Sequence, residues 1–258
     1  MTGKWSPTQY LKFADQRTRP ARDLLAAVPT VEVRRAVDLG CGPGNSTELL
    51  IHRWPEADVS GIDSSQEMIV SARERLPRPK FDVADIASWQ SAPEYDLIFA
   101  NAVLQWLPDH RALLPRLAEG LASGGTLAIQ VPDNLMEPSH VGMRKAAEDS
   151  RWKTRLKDAA GERTEIMTPA EYYDALMPHF DHVDVWKTIY NHPLKGIDGI
   201  VEWFKSTGLK PFLARLVNEE RDAFLDLYES IIAEHYPVQR DGTVLLAFPR
   251  LFIVAMKS

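Results

Sequence analysis

The chain has only one cysteine, Cys41, among its 258 residues. A single cysteine rules out a disulfide bond within the chain and is typical of a reducing compartment, so we expect a cytoplasmic location. Cys41 lies inside a glycine-rich turn, where we expect it to serve the turn. That position argues against the class of enzymes in which a cysteine attacks a pyrimidine ring.

Long apolar runs are also lacking. The longest, Leu251–Met256, is far shorter than the roughly 20 residues needed to cross a membrane. No basic segment followed by an apolar stretch opens the chain, so we expect no secretory signal. From both observations we expect no membrane partner.

Basic residues are outnumbered, with 30 Lys and Arg against 36 Asp and Glu. A nucleic-acid enzyme usually has a broader basic surface, so we expect no nucleic-acid partner. The charge is uneven, because residues 1–35 carry seven basic and three acidic side chains. This basic arm on an acidic body favours a compact anionic substrate, although solvated helix charges would explain it nearly as well.

Apolar strand-like segments alternate with helical ones between Ala36 and Val131. That alternation predicts an α/β fold with a parallel sheet and helices on both faces. We expect helix 7–27 to be divided at Pro20, residues 151–165 to form mobile surface, and Leu251–Met256 to be the last strand. The length suits a single domain over 1–258.

The segment Val37–Leu39 runs into glycines at three alternate positions, Gly40, Gly42 and Gly44. Glycine allows a sharp turn and a close approach of the backbone to a ligand. Asp63 ends the next apolar run, where an acid can bind both hydroxyls of a ribose. A dinucleotide site would instead read G-x-G-x-x-G and face a pyrophosphate. For the glycines alone, an ordinary strand-to-helix turn remains the alternative.

Further candidate residues follow the next two strands. Asp85 offers a carboxylate to an exocyclic amine, and Ile86 offers an apolar surface to an adenine ring. Asn101 follows the fourth strand, beside the place where we expect the reactive group of a bound ligand. Ligands of open α/β sheets bind outside the carboxyl ends of the strands, which is where these residues fall. Taken singly, each acid could be a helix cap and the asparagine a turn residue.

The spacing of the glycines and Asp63 resembles motif I of the class I S-adenosylmethionine (SAM) methyltransferases. Over essentially its full length the chain resembles the trans-aconitate 2-methyltransferases. The segments that carry this likeness are Trp5–Leu11, Arg17–Ala21, Asp38–Thr47, Gly61–Ser65, Phe99–Ala102, Leu104–His110, Pro132–Asn134, Glu137–Pro138 with His140, Thr207–Leu209 and Leu246–Phe252. Residues 150–166 depart most from the family, and nothing is carried over there.

The resemblance implies a seven-stranded, mostly parallel, Rossmann-like sheet whose last strand is antiparallel. It also implies SAM as cofactor, a substrate cap formed by residues 1–25 and 196–236, and methyl transfer to one carboxylate of trans-aconitate or a close tricarboxylate. The products would be a monomethyl ester and S-adenosylhomocysteine. The expected cofactor-binding residues are Tyr10, Asp38, Gly40, Gly42, Gly44, Asp63, Ser64, Asp85, Ile86, Asn101 and Gln105.

A carboxylate acceptor is already ionised at neutral pH, so we expect no general base and no catalytic residue in that sense. The histidines show no metal-ligand spacing, and no Ser-His-Asp set is recognisable, so we expect no metal. The non-reacting carboxylates need fixed cations, and a guanidinium binds a carboxylate bidentately. The candidate substrate-binding residues are Arg17, Arg19 and Arg250, followed by His140, His192, Tyr190 and Trp106.

These residues also have purely structural interpretations. Each arginine could form a surface ion pair, and Trp106 could simply pack in the core. Tyr10 and Arg17 are seven residues apart and share a helical face, which suits contact with SAM and substrate but equally suits packing. We interpret Trp203 as a core residue.

Two other functions remain open at this point. The chain could methylate a carbon, amine or hydroxyl group of another small molecule. It could also be a regulatory protein that binds SAM without turnover, which an intact glycine turn with Asp63 and Asp85 argues against. The sequence does not indicate an oligomeric state.

Overall fold

The computed structural model describes residues 14–91, 94–159, 161, 163–205 and 207–257, with side chains from Thr18 onward. The described residues form two compact units. The larger contains residues 14–132, 166–188 and 251–257, and the smaller contains 133–165 and 189–250. The prediction of a single domain over 1–258, with residues 1–25 and 196–236 as a cap, stays a prediction.

Helices and strands alternate through the first half of the described chain. In chain order the elements are α1 (Ala14–Ala27), β1 (Arg35–Leu39), α2 (Asn45–Arg53), β2 (Asp58–Asp63), α3 (Gln66–Arg75), β3 (Lys80–Val83), β4 (Tyr95–Asn101), a 3-10 turn (Leu104–Trp106), α4 (His110–Glu119), β5 (Leu121–Pro132), α5 (Pro138–Ala147), α6 (Lys153–Leu156), α7 (Pro169–Leu176), β6 (His182–Lys195), α8 (Gly196–Lys205), α9 (Lys210–Leu213), α10 (Asn218–Ala233) and β7 (Thr243–Met256).

The strands form a seven-stranded sheet in the order β3-β2-β1-β4-β5-β7-β6. Strands β1 to β5 are parallel to one another. Leu39, the last residue of β1, lies opposite Ile62 of β2 and Ala100 of β4. The strand order therefore reverses between β1 and β4, and the carboxyl ends of β1, β2 and β4 share one edge, where α/β sheets bind ligands.

Strand β7 runs antiparallel to β5. The Lys257 amide donates to the Gly125 carbonyl, and the Asp133 amide donates to the Pro249 carbonyl. Residue numbers therefore rise along one strand as they fall along the other. The predicted mostly parallel sheet with an antiparallel last strand is confirmed. The last strand begins before the predicted start at Leu251, because β7 continues through Pro249, whose carbonyl still takes part in pairing although proline has no N–H to donate.

The core of the larger unit covers both faces of the parallel strands. In β4 the run Leu97–Ala100 is fully buried, which explains why it reads as a continuous apolar segment rather than an alternating one. Helix α1 continues through Pro20, contrary to the predicted division. Proline fixes a helical φ while removing one backbone hydrogen bond, and burial of Ala21 and Leu24 stabilises the helix despite that loss.

The smaller unit packs α5 against α10. A Cβ at Gly142 would lie 2.6 Å from Ile232, so only glycine allows this approach. The prediction that residues 151–165 are mobile surface is wrong for Trp152, whose ring is buried against Phe224 with centroids 5.7 Å apart. Leu156, one helical turn later, is buried as well, so the charged stretch carries an apolar face that folds into this unit.

Candidate functional site

The turn after β1 bends through three left-handed glycines, Gly40 (φ 67°), Gly42 (φ 54°) and Gly44 (φ 87°). A Cβ at Gly40 would lie 2.2 Å from the Val103 side chain, so this position has no room for one. A Cβ at Gly42 would have no heavy atom of the described residues within 4 Å. The turn therefore leaves open space beside Gly42, where a ligand can approach the backbone.

Asp63 ends β2 directly beside this turn. Its Oδ2 accepts a hydrogen bond from the Gly42 amide at 3.0 Å, and its Oδ1 accepts one from the Ser65 amide at 2.8 Å. Burial raises the pKa of this carboxyl, against the lowering effect of the backbone donors. Each carboxylate oxygen keeps a second lone pair for a ligand. Ser64, the next residue, is exposed.

Asp38 lies inside β1 and is fully buried. Its Oδ2 accepts hydrogen bonds from Ser46 at 2.7 Å and Thr47 at 2.6 Å, which ties the start of α2 to the strand. Burial raises the pKa of Asp38 to about 7, while the hydrogen bonds from Thr47 and Ser46 lower it. Its Oδ1 is buried and has no hydrogen-bond partner among the described residues.

Asp85 and Ile86 follow β3. Asp85 is exposed, and its Oδ1 accepts a hydrogen bond from the Ala87 amide at 2.9 Å. It therefore caps its own turn, the local function that such an acid often has. Ile86 is buried and packs into the core of the larger unit. Contacts of either residue with an adenine stay predictions.

Asn101 ends β4 at the same edge of the sheet as Asp63. Its Oδ1 is buried and finds no hydrogen-bond partner within the part of the chain that the structure describes. The next turn places Ala102 at a positive φ of 55°. Gln105 is buried there and donates from Nε2 to the Ala102 carbonyl at 2.7 Å, while Trp106 is half-buried.

His110 fixes this turn, a contact that the sequence analysis did not anticipate. Its Nε2 lies 2.8 Å from the Leu104 carbonyl and its Nδ1 lies 2.6 Å from the Tyr172 hydroxyl. Because a carbonyl only accepts, Nε2 carries the proton and Nδ1 accepts from Tyr172. The signal was the position of His110 at the end of a family-like segment, but its partner lies 62 residues further along the chain.

In the smaller unit, three predicted substrate residues occupy one aromatic cluster. The Arg250 guanidinium is buried 4.6 Å from the Phe248 ring centroid and 6.0 Å from that of Tyr190. His192 stacks between Tyr190, at 6.2 Å, and Trp203, at 4.6 Å. Trp203 is buried, as interpreted from the sequence.

His140 is also buried in the smaller unit, near the start of α5. Its Nε2 lies 3.1 Å from Nη1 of Arg163, and its ring meets Phe204 edge-on at 4.9 Å. Burial, with the charges of Arg163 and Arg144, holds the pKa of His140 well below its usual value. Arg163 lies in the segment where the family resemblance implied nothing, so the sequence analysis missed it.

The basic arm is described only in part. Arg19 is exposed and its Nε lies 3.9 Å from the carboxylate of Asp23. Tyr10 and the side chain of Arg17 lie outside the described residues. No described helix is long and apolar enough to cross a membrane. Within the described ranges, no group of three or more His, Cys, Asp or Glu side chains is placed to share a metal ion.

Comparison with known proteins identifies the family. Residues 36–125 match the family model described as "Methyltransferase domain". The chain is 53% identical over 253 residues to a trans-aconitate 2-methyltransferase of Rhodopseudomonas palustris (strain BisB5), covering 98% of this chain and 99% of the relative. The protein of that name from Methylobacterium nodulans is 56% identical, with 98% of both chains covered.

Solved structures support the same fold at low sequence identity. A putative sarcosine dimethylglycine methyltransferase from Galdieria sulphuraria is 13% identical with a TM-score of 0.57, covering 99% of this chain and 92% of that chain. A putative methyltransferase from Bacillus halodurans is 10% identical with a TM-score of 0.59, covering 94% and 99%. The predicted class I fold is confirmed. With more than half of its residues identical over nearly the whole length, the chain belongs to the trans-aconitate 2-methyltransferases, a family of SAM-dependent methyltransferases.

Proposed function

We propose that this chain transfers the methyl group of SAM to one carboxylate of trans-aconitate or a close tricarboxylate, giving a monomethyl ester and S-adenosylhomocysteine. The identity of more than half of the residues with relatives of that name carries the proposal. A small-molecule substrate also suits the uneven charge of the chain. We further propose that the protein acts in the cytoplasm, as its single cysteine indicates.

The residues of the larger unit fit SAM. When bound, SAM supplies an electrophilic methyl group on a sulfonium. The open space beside Gly42 can admit such a ligand, and Asp63 next to it keeps lone pairs for two ribose hydroxyls. The buried oxygens of Asp38 and Asn101, without partners among the described residues, would accept hydrogen bonds from polar groups of the cofactor.

The chain's other residues bind and orient the substrate rather than move protons. A carboxylate with an ordinary pKa near ~4 is ionised at neutral pH and attacks without a general base. The task left to the protein is to align the acceptor oxygen and to remove water from it. Arg250, buried among aromatic rings, is a candidate for binding a carboxylate that does not react.

The experiment is methyl transfer from labelled SAM to a panel of acceptors: trans- and cis-aconitate, isocitrate, citrate and simple dicarboxylates. We expect the highest kcat/KM with trans-aconitate and a base-labile methyl ester as product. Label in an amine, ether or carbon linkage would instead indicate one of the other acceptors. Binding of SAM without turnover of any acceptor would favour a regulatory protein.

A further inference from the structure

Arg163 and His140 form a cation–imidazole pair inside the smaller unit. Nη1 of Arg163 lies 3.1 Å from Nε2 of His140, and a guanidinium can only donate. Nε2 therefore accepts, and the ring is neutral with its proton on Nδ1, which lies 3.4 Å from the Ser139 hydroxyl. A neutral ring holds the guanidinium in place but does not cancel its charge.

Arg163 keeps its positive charge in this partly desolvated place, where Asp133 is also near. Burial lowers the pKa of Arg163 to about 10, and the nearby Asp133 only partly opposes that effect. The guanidinium thus stays charged at neutral pH while its hydration is reduced. A Cβ at Gly208 would lie 3.3 Å from Nε2 of His140, so the backbone at Gly208 packs close to the imidazole.

Asn134 is an independent sign of a ligand in the same region. It directly follows Asp133, and its side chain is only 1% exposed. Neither its Oδ1 nor its Nδ2 has a hydrogen-bond partner among the described residues. A buried amide left in that state destabilises the fold, and such groups usually have a partner in the working protein.

We infer that Arg163 and Asn134 form a carboxylate subsite, with His140 as the residue that positions the guanidinium. The inference rests on the proposed function, because a tricarboxylate brings two carboxylates that do not react. Arg163 would donate to one such carboxylate, and Nδ2 of Asn134 would donate to it as well. Charge-assisted bonds of this kind are the strong ones in a site with reduced hydration.

The test compares the wild type with Arg163→Gln and Arg163→Lys. The substrates are trans-aconitate and two unsaturated dicarboxylates that each lack a different carboxylate. We expect Arg163→Gln to lower kcat/KM for trans-aconitate at least about 30-fold, chiefly through KM. The dicarboxylate without the bound carboxylate should change less than about threefold, and lysine should restore part of the loss.

Asn134→Leu supplies a second variant of similar volume. Leucine should leave Tm unchanged or higher, since no described partner is lost, while KM for trans-aconitate rises about tenfold. Arg151→Gln is the charge-matched control, because Arg151 lies in the same unit but pairs with Asp149 at the surface. It should leave the constants unchanged. SAM affinity and Tm, measured for every variant, establish that each one is folded.

Two results would overturn the subsite. One is an equal loss with the tricarboxylate and both dicarboxylates, and the other is an Arg163→Gln variant that behaves like Arg151→Gln. If Arg163→Gln fails to fold, the same comparison with Arg163→Lys and Asn134→Leu decides. A wild type that binds SAM but does not methylate trans-aconitate contradicts the proposed function instead, which the wild-type assay shows before any variant is made.

Discussion

The carboxylate of Asp63 accepts a hydrogen bond from the backbone amide of Gly42 at 3.0 Å. This single bond joins the end of β2 to the middle of the glycine turn that follows β1. The acid that we propose binds a ribose is thereby held beside the open space at Gly42. Gly42 and Asp63 are 21 residues apart in the chain, and this hydrogen bond joins them in the fold.

We expect Asp63→Ala to weaken SAM binding by about 1–3 kcal/mol, because two ribose hydroxyls lose a charged acceptor. Calorimetry measures the effect. Asp58→Ala is the matched control. Asp58 lies at the opposite end of β2 from Asp63, where it pairs with Arg35. A folded Asp63→Ala with the dissociation constant of the wild type would remove Asp63 from the site.

Alanine at Gly40 and at Gly42 should have different effects. Both positions have a positive φ, which costs an L-residue about 1 kcal/mol. At Gly40 the new Cβ also collides with Val103, so we expect a loss of several kcal/mol in unfolding free energy. At Gly42 the Cβ enters open space, so the variant should stay folded while SAM binding falls at least about tenfold. Urea unfolding and calorimetry check both, and a tightly binding Gly42→Ala would contradict the proposed approach of the ligand.

The rate at saturating SAM and substrate should be flat from about pH 6 to 8.5, and titration of Asp38, whose pKa burial raises to about 7, should affect only SAM affinity. The acceptor is ionised throughout, and His140, whose pKa is held well below 6.5 by burial and two arginines, stays neutral over that range. The lowered pKa of His140 also makes the stability of the protein depend on pH. The imidazole of His140 has a pKa of 6.5 in the unfolded chain and a much lower one in the folded chain. Below pH 6.5 the unfolded chain therefore binds a proton that the folded chain does not, so the free energy of unfolding falls as the pH drops.

Two measurements check this pair of expectations. Urea unfolding at about pH 7 and pH 5 should show a larger loss for the wild type than for His140→Gln. A rate profile that rises steeply with pH in the wild type and becomes flat in His140→Gln would contradict the absence of a general base. It would favour an acceptor that must be deprotonated.

Arg17 and Arg19 of the basic arm should respond differently to salt. We keep the hypothesis that at least one of them binds a carboxylate. The Arg19 side chain is 68% exposed and lies near Asp23, so Arg19→Ala should lower kcat/KM only modestly, and about 0.5 M salt should abolish the loss. We therefore expect the larger effect from Arg17→Ala, about 2–4 kcal/mol in kcat/KM with little change in SAM affinity. Modest losses in both variants that salt abolishes would exclude the arm as a carboxylate site.

The sequence by itself determined the fold class and the cofactor turn. Alternation of strands and helices needs only local patterns, and the glycines with Asp63 form a signature that depends on short spacing. Local patterns gave wrong predictions of helix bounds and of exposure where tertiary packing outweighs them. Helix α1 passes through Pro20 because its apolar face is buried, and residues 151–165 fold inward on Trp152.

Only the tertiary structure decided which side chains meet. Arg163 pairs with His140 across 23 residues, and Tyr172 reaches His110 across 62, separations at which no periodicity operates. Burial is likewise a property of the folded chain. It distinguishes Arg250 among aromatic rings from the solvated Arg19, although both appeared equally suited to bind a carboxylate. Residue type and spacing can identify a charged side chain as a candidate for binding, but desolvation and neighbouring groups determine what that side chain does.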